Sequence, residues 1–212
     1  MVVTDVEIVA ILAVALIITY FIGTYWKHRT LTKYAHWFED RFSKRAKVRY
    51  KSFGHAGLRI KCEMNNASDG YSDLEFALSL GARENLIYYP YSVVARDFDR
   101  LNCWASLTKT PKFRVLLIRK EEKIPADWER IGAEQTTMPE IENVGYVVFS
   151  TGSQYAIEFL RRLNIQSESE ALKTVQSLVL EFQPPRLHLT ARLHRDGLSG
   201  LIDFIGLAAR AV

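Results

Sequence analysis

No lysine or arginine precedes Lys27, and no charge of either sign falls between Glu7 and Lys27. The first absence removes the basic n-region of a secretory signal. No small-x-small cleavage site leads into a polar start either, so the apolar stretch is expected to stay on the protein. Cysteine is scarce: Cys62 and Cys103 only, without CxxC spacing. They read as buried small hydrophobes in a reducing compartment, not as a disulfide or a metal pair. The five histidines (His28, His36, His55, His188, His194) include no HExxH or other metal-ligand spacing. There is no GxSxG, and no carboxylate pair stands out at a strand end. Ser150-Thr151-Gly152-Ser153 resembles a phosphate-cradling turn but has neither the glycine-rich length nor the lysine of a P-loop, so helix capping is the plainer reading. The expectation from these absences is a protein that is not an enzyme, with no cofactor and no metal. Low-complexity segments and internal repeats are also missing. Charged residues at 25% and aromatics at 12% are globular proportions, which excludes wholesale disorder.

What is there begins with Ile8 to Trp26, nineteen residues without a charge. As a helix they extend about 28 Å, close to the hydrocarbon thickness of a bilayer. The alternative is a buried core helix, which rarely runs so long without a polar stripe. Tyr20, Tyr25 and Trp26 gather at one end, where amphipathic rings favour the interface, and Lys27, His28 and Arg29 follow. The positive-inside rule then puts residues 1–7 outside, the span at 8–26, and everything after it in the cytoplasm.

Basic residues crowd the next stretch. Nine Lys or Arg lie between Lys27 and Lys51 against only Glu39 and Asp40. Such a cluster attracts anionic headgroups, at about 1 kcal/mol per charge near the surface; RNA is the sharper alternative. The candidate binding residues are Lys44, Arg45, Lys47, Arg49, Lys51, Arg59 and Lys61. At period two the last five fall on like faces of two neighbouring strands, and pairing would merge them into one patch on the membrane-proximal side.

Leu31, Tyr34, Ala35, Phe38 and Phe42 recur at three- and four-residue steps, predicting an amphipathic juxtamembrane helix within 27–46 that starts afresh at an N-capping Thr30. Residues 47–212 then read as one α+β domain. Alternation predicts a three-strand meander over 47–80, a strand from Leu101, and FRVLLIR (113–119) as a strand apolar on both faces. The charged run 120–143, with Pro125 and Pro139, predicts a long loop with a short helix near Trp128. A strand at 144–149, a helix to Leu163 and a second helix near 168–174 follow. Strands around Phe182 and Leu189 flank Pro184-Pro185, and a helix over 197–211 closes the chain. His188 and His194 are placed on one strand face beside Arg186 and Arg192, as part of a solvated basic surface. Leu58, Ile60, Leu74, Phe76, Val115, Val148 and Phe159 are expected in one core. The predicted architecture is a mostly antiparallel sheet with helices on one face, behind a single transmembrane helix. Asn66-Ala67-Ser68 spells a glycosylation sequon that a cytoplasmic domain would leave unused.

Two stretches resemble the calumin family, the coiled-coil-domain-containing subunit of the PAT complex that serves multipass membrane proteins. One is Arg83-Glu84-Asn85-Leu86-Ile87 with Asp99-Arg100-Leu101 opening a strand. The other is Tyr146-Val147-Val148-Phe149 with Gly152, Ala156 and Leu160. The chain departs from the family in showing no acidic region before the span and no long basic coiled coil after the domain. A minimal relative, prokaryotic or archaeal, would sit in the cell membrane, and a eukaryotic one in the endoplasmic reticulum. The resemblance implies an accessory factor for inserting multipass membrane proteins. Its implied partners are translocon components, nascent chains, a small integral membrane protein and the ribosome with its rRNA, beside anionic lipid headgroups. The alternative is a membrane-anchored scaffold, or a lipid- or protein-binding domain unrelated to insertion.

Overall fold

The computed structural model describes residues 5–54, 56–66, 69–81, 99–163, 170–194 and 196–212. Its first element is a single helix, α1, running unbroken from Asp5 to Phe42. An apolar window long enough to cross a membrane lies within it, and none of that window is buried inside the protein. The core-helix alternative is thereby removed, since Val9, Ile11 and Phe21 are each about two-thirds exposed. The second half of the same helix behaves oppositely. Leu31, Phe38 and Phe42 are buried in the domain core.

This corrects the expected break at Thr30. The Thr30 hydroxyl donates to the Trp26 carbonyl four residues back, the habit of a threonine inside a helix, not of an N-cap. Nothing between Trp26 and Leu31 stops a helix: there is no Pro or Gly, and the ladder simply continues. It ends at Phe42, and Lys44 and Arg45 form the turn that follows.

Nine strands form one sheet among the described residues: β1 (Ala46–Phe53), β2 (Gly57–Met64), β3 (Tyr71–Ser79), β4 (Arg100–Leu107), β5 (Val115–Arg119), β6 (Glu134–Thr136), β7 (Tyr146–Ser150), β8 (Val175–Phe182) and β9 (Pro185–Arg192). Their order is β1-β2-β3-β4-β9-β8-β5-β7-β6, and each described pairing is antiparallel. The first three strands are the meander expected over 47–80, and β4 is the strand expected from Leu101. The chain then skips two places to lay down β5, and the β8–β9 hairpin later fills the gap. The short helix α2 (Ala126–Arg130) matches the one expected near Trp128, while β6 and the one-turn helix α3 (Pro139–Glu142) emerge from what reads as loop. Completing the fold are α4 (Ser153–Arg162), α5 (Glu170–Thr174) and α6 (Leu198–Ala211).

All seven expected core residues belong to one cluster, which α1, α4 and α6 share with the sheet. Burial alternates from Leu58 to Cys62 in β2, from Leu74 to Leu78 in β3 and along β4, as a half-covered sheet requires. At β5 both faces are covered, because Leu116 and Ile118 pack under Trp128 in a smaller cluster on the opposite side. The last helix, α6, lies in the core, with nine of its residues buried. Its end presses on Gly70, whose φ of +85° and place 2.8 Å (as a would-be Cβ) from the Ala209 carbonyl oxygen admit no side chain.

The turn Ser150 to Ser153 does not cap α4 with a side chain. Gly152 is the cap position without a side-chain bond. The Ser150 hydroxyl instead meets Thr136 Oγ1 at 3.0 Å, and Thr151 Oγ1 accepts from the Arg114 amide at 3.0 Å. These hydroxyls hold strand ends together.

Candidate functional site

The register of the first hairpin decides what the basic residues can do. Lys47 pairs with Glu63, Arg49 with Lys61, and Lys51 with Arg59, so Lys47, Arg49, Lys51, Arg59 and Lys61 share one face of β1 and β2. All five are exposed. Two of the pairs set like charges directly opposite, which destabilises a hairpin unless something answers them. Carboxylates on the same face do so. Glu63 receives Arg49 at 3.3 Å and Lys61 at 3.5 Å, and Glu75 on β3 receives Arg59. Asp73, opposite Glu63, adds a third acid. The face is therefore a cationic strip with an acidic edge, five cations against three carboxylates.

Lys44 and Arg45 stand apart from this strip. They line a shallow cavity of about 410 Å³ with Met64, Asn65, Asn66 and Asp69, beyond the end of α1. Although near the span in sequence, they are far from it in space. Trp26 and Phe42 are sixteen residues apart on one helix, about 24 Å. That exceeds the reach of charge interactions in physiological salt, about 8 Å. Along α1, then, Lys44, Arg45 and Lys47 lie at the end of the domain away from Trp26, and Lys51 and Arg59 at the end near it.

The second feature of this face was not foreseen. His188 on β9 pairs with Trp104 on β4, and the rings stack at 5.0 Å between centroids and 4° between planes. Burial, with Arg186 second, lowers the His188 pKa, and its Nε2 is buried without a hydrogen-bond partner. His188 is thus a packed aromatic, not part of a solvated basic surface. His194 lies past the end of β9 and shares no strand face with it. Local sequence has no signal for this stack, since it depends on a register between strands some eighty residues apart. Thr190 Oγ1 donates to Asn102 Oδ1 at 3.0 Å in the same strand pair.

Cys62 and Cys103 are free and buried. They belong to strands separated by β3, so a disulfide between them would have to cross two strand spacings, about 9 to 10 Å. Burial pushes the Cys62 thiol up to about 12 and that of Cys103 well above its ordinary value, so neither is poised as a nucleophile. Among the described residues no group of three His, Cys, Asp or Glu is placed to hold a metal.

Of the residues carrying the family resemblance, Arg83 to Ile87 lie outside the described residues. Arg100 opens β4, and Tyr146 to Phe149 with Gly152, Ala156 and Leu160 form a strand-turn-helix passage through β7 and α4. No family model matches the chain, and no curated protein matches it. Among solved structures, the crystal structure of the mycobacterial trehalose monomycolate transport factor A, TtfA, is similar at 10% identity and a TM-score of 0.42, over 78% of this chain and 71% of that one.

Proposed function

We propose that the protein is a membrane-anchored binding factor, not an enzyme, whose domain works at the cytoplasmic surface of its membrane. The supporting observation is the one-piece helix α1, half exposed apolar span and half core element. A domain built around the continuation of its own anchor is held at a fixed height and rotation. That suits a protein that positions something beside the membrane better than one that must reach away from it. The topology, with Lys27 and Arg29 following the span, supports residues 1–7 outside and the domain inside.

In its specific form, the factor assists insertion of multipass membrane proteins. The span would pack beside translocon components or a small integral membrane protein, and the domain beside the ribosome and nascent chain. A neighbouring helix can hold intramembrane polar groups that are costly until packed. The cationic strip of β1 and β2 is the surface available for rRNA. A second reading, a scaffold recognising a protein or lipid surface, is favoured by Glu63, Asp73 and Glu75 at the edge of that strip, because closely placed carboxylates repel a polyphosphate backbone. Site-directed photocrosslinking in native membranes separates the two. Probes at Ile11 and Ile18 on the span, and at Arg49 on the strip, should capture translocon subunits and ribosomal components under the insertion reading. Capture of other proteins or of lipid alone would establish the scaffold instead.

A further inference from the structure

The hairpin joining β1 to β2 ends level with Trp26, where the apolar run of α1 closes. Three observations fix this. The chain turns directly from the end of α1 at Phe42 into β1 at Ala46, and β1 runs back along the domain. Eight strand residues return about 23 Å, while Trp26, at the end of the apolar run, is about 24 Å from Phe42 along the helix. The contacts at the other end agree with this measure. Gly23, Trp26, Lys27 and Thr30 of α1 surround a cavity of about 350 Å³ with Leu80 and Gly81, just past the end of β3. The Leu80 amide donates to the Ala56 carbonyl in the hairpin tip at 2.8 Å. The tip and the last turn of the span are therefore at one height.

What the tip presents fits a headgroup layer. Phe53 is 46% exposed at the end of β1. It pairs with Gly57, and with no side chain there to hold it off, its ring lies across the hairpin. Lys51 and Arg59 flank it on the same face, and Tyr50, 57% exposed, is on the other. An aromatic ring between cationic side chains is the composition found where protein meets headgroups. Packing on Gly57 covers only part of the Phe53 ring and leaves 46% of the residue in water. We propose that this hairpin tip is a second membrane contact, Phe53 entering the headgroup layer and Lys51 and Arg59 meeting lipid phosphates. With α1 it makes a two-point attachment that fixes the domain's tilt and rotation on the bilayer. This rests on the reading of α1 as a membrane span.

The test uses the full chain in nanodiscs, with an environment-sensitive fluorophore on S52C beside the tip and a control label on K109C at the opposite end of β4. Cys62 and Cys103, buried with raised thiol pKa values, stay unlabelled in the native protein. Lipids carrying a shallow nitroxide should quench the Ser52 label and spare the Lys109 label. F53D in the S52C background should abolish the difference, and adding phosphatidylglycerol to phosphatidylcholine discs should enlarge it. Equal quenching at both positions, or quenching that survives F53D, overturns the proposal while anchoring stands. Failure of the chain to remain in the nanodiscs at all overturns the span reading and the hairpin contact together. Because Phe53 and Ser52 are exposed, these variants test contact and not folding.

Discussion

Phe38 of α1 lies against Phe76 at the middle of β3, with ring centroids 4.6 Å apart and planes tilted by 47°. Phe42 adds a second contact to the same ring at 6.0 Å. The helix that leaves the membrane thus enters the core and becomes its central aromatic packing. Both Phe38 and Phe76 have no exposed surface. Phe76→Ala is expected to destabilise the domain by roughly 3–5 kcal/mol. Phe38→Ala should cost a similar amount, although it belongs to the anchor. Denaturant unfolding of the full chain in mild detergent measures both. A change within about 0.5 kcal/mol at Phe38 would mean that the domain folds independently of α1.

The Thr30→Ala change distinguishes a helix that restarts from one that continues. At an N-cap the substitution costs about 1 kcal/mol. In a helix interior it removes a β-branched residue and raises helix propensity by a few tenths of a kcal/mol. Because the hydroxyl bonds back to Trp26, we expect a neutral to slightly stabilising effect in the same unfolding assay. A loss near 1 kcal/mol would place a helix start there.

Much of the fold was legible because burial on one face writes a period into the chain. Leu58, Ile60 and Cys62 alternate with Arg59, Lys61 and Glu63, and β2 is found where that pattern lies. The same rule fails for β6, where Glu134–Thr136 has one buried residue and is too short to show a period. It also fails at Thr30, whose flanking apolar residues follow a helical period on either side. There the environment changes from lipid to protein core while the backbone does not. Local chemistry signals a threonine before an apolar turn, but only the unbroken helix and the bond from Thr30 back to Trp26 show that no new helix begins. The candidate site was half legible. Period two put Lys47, Arg49 and Lys51 on one face, whereas the register and the length of α1 separate Lys44 and Arg45 from the membrane. Neither can be read from spacing alone.

Charge changes on the hairpin should act in opposite directions. Reversing Lys47, Arg49 and Lys51 to Glu should abolish ribosome co-sedimentation at low salt under the insertion reading and leave folding intact, since all three are exposed. Neutralising the acids with E63Q/E75Q should strengthen binding and steepen its salt dependence, because more phosphate charge is then engaged. Unchanged co-sedimentation in both variants would remove the strip as the ribosome contact and leave it as a surface for lipid headgroups.

His188 should make stability depend on pH. Its pKa is lowered below the ordinary 6.5, by burial first and Arg186 second. Between the ordinary and the lowered value the unfolded chain binds the proton and the folded one does not. Stability is therefore fully present above about pH 6.5 and falls as pH drops toward the folded value. H188F keeps an aromatic ring on Trp104 and removes the titration. Urea midpoints from pH 7.5 to 5 should show the wild type losing more stability than H188F, and parallel curves would contradict the assignment.

Orientation can be tested on the domain itself. Basic residues follow the span and none precedes it, which supports a cytoplasmic domain. Asn66 gives an internal reporter of the alternative. It is exposed in the turn after β2, at the end of the domain away from the span. Glycosylation needs an acceptor well clear of the membrane, and by the length of α1 this turn lies about 24 Å beyond Trp26. Access would therefore not protect it if the domain entered the lumen. Translated into microsomes, the wild-type chain should remain unmodified at Asn66, and a reporter fused after Val212 should be active only in the cytoplasm. Moving the three charges Lys27, Arg29 and Lys33 to the segment before the span should reverse the orientation and expose the sequon. Modification of Asn66 in the unaltered chain would place the domain outside, remove the ribosome and translocon as partners, and leave the hairpin contact to be made with the opposite leaflet.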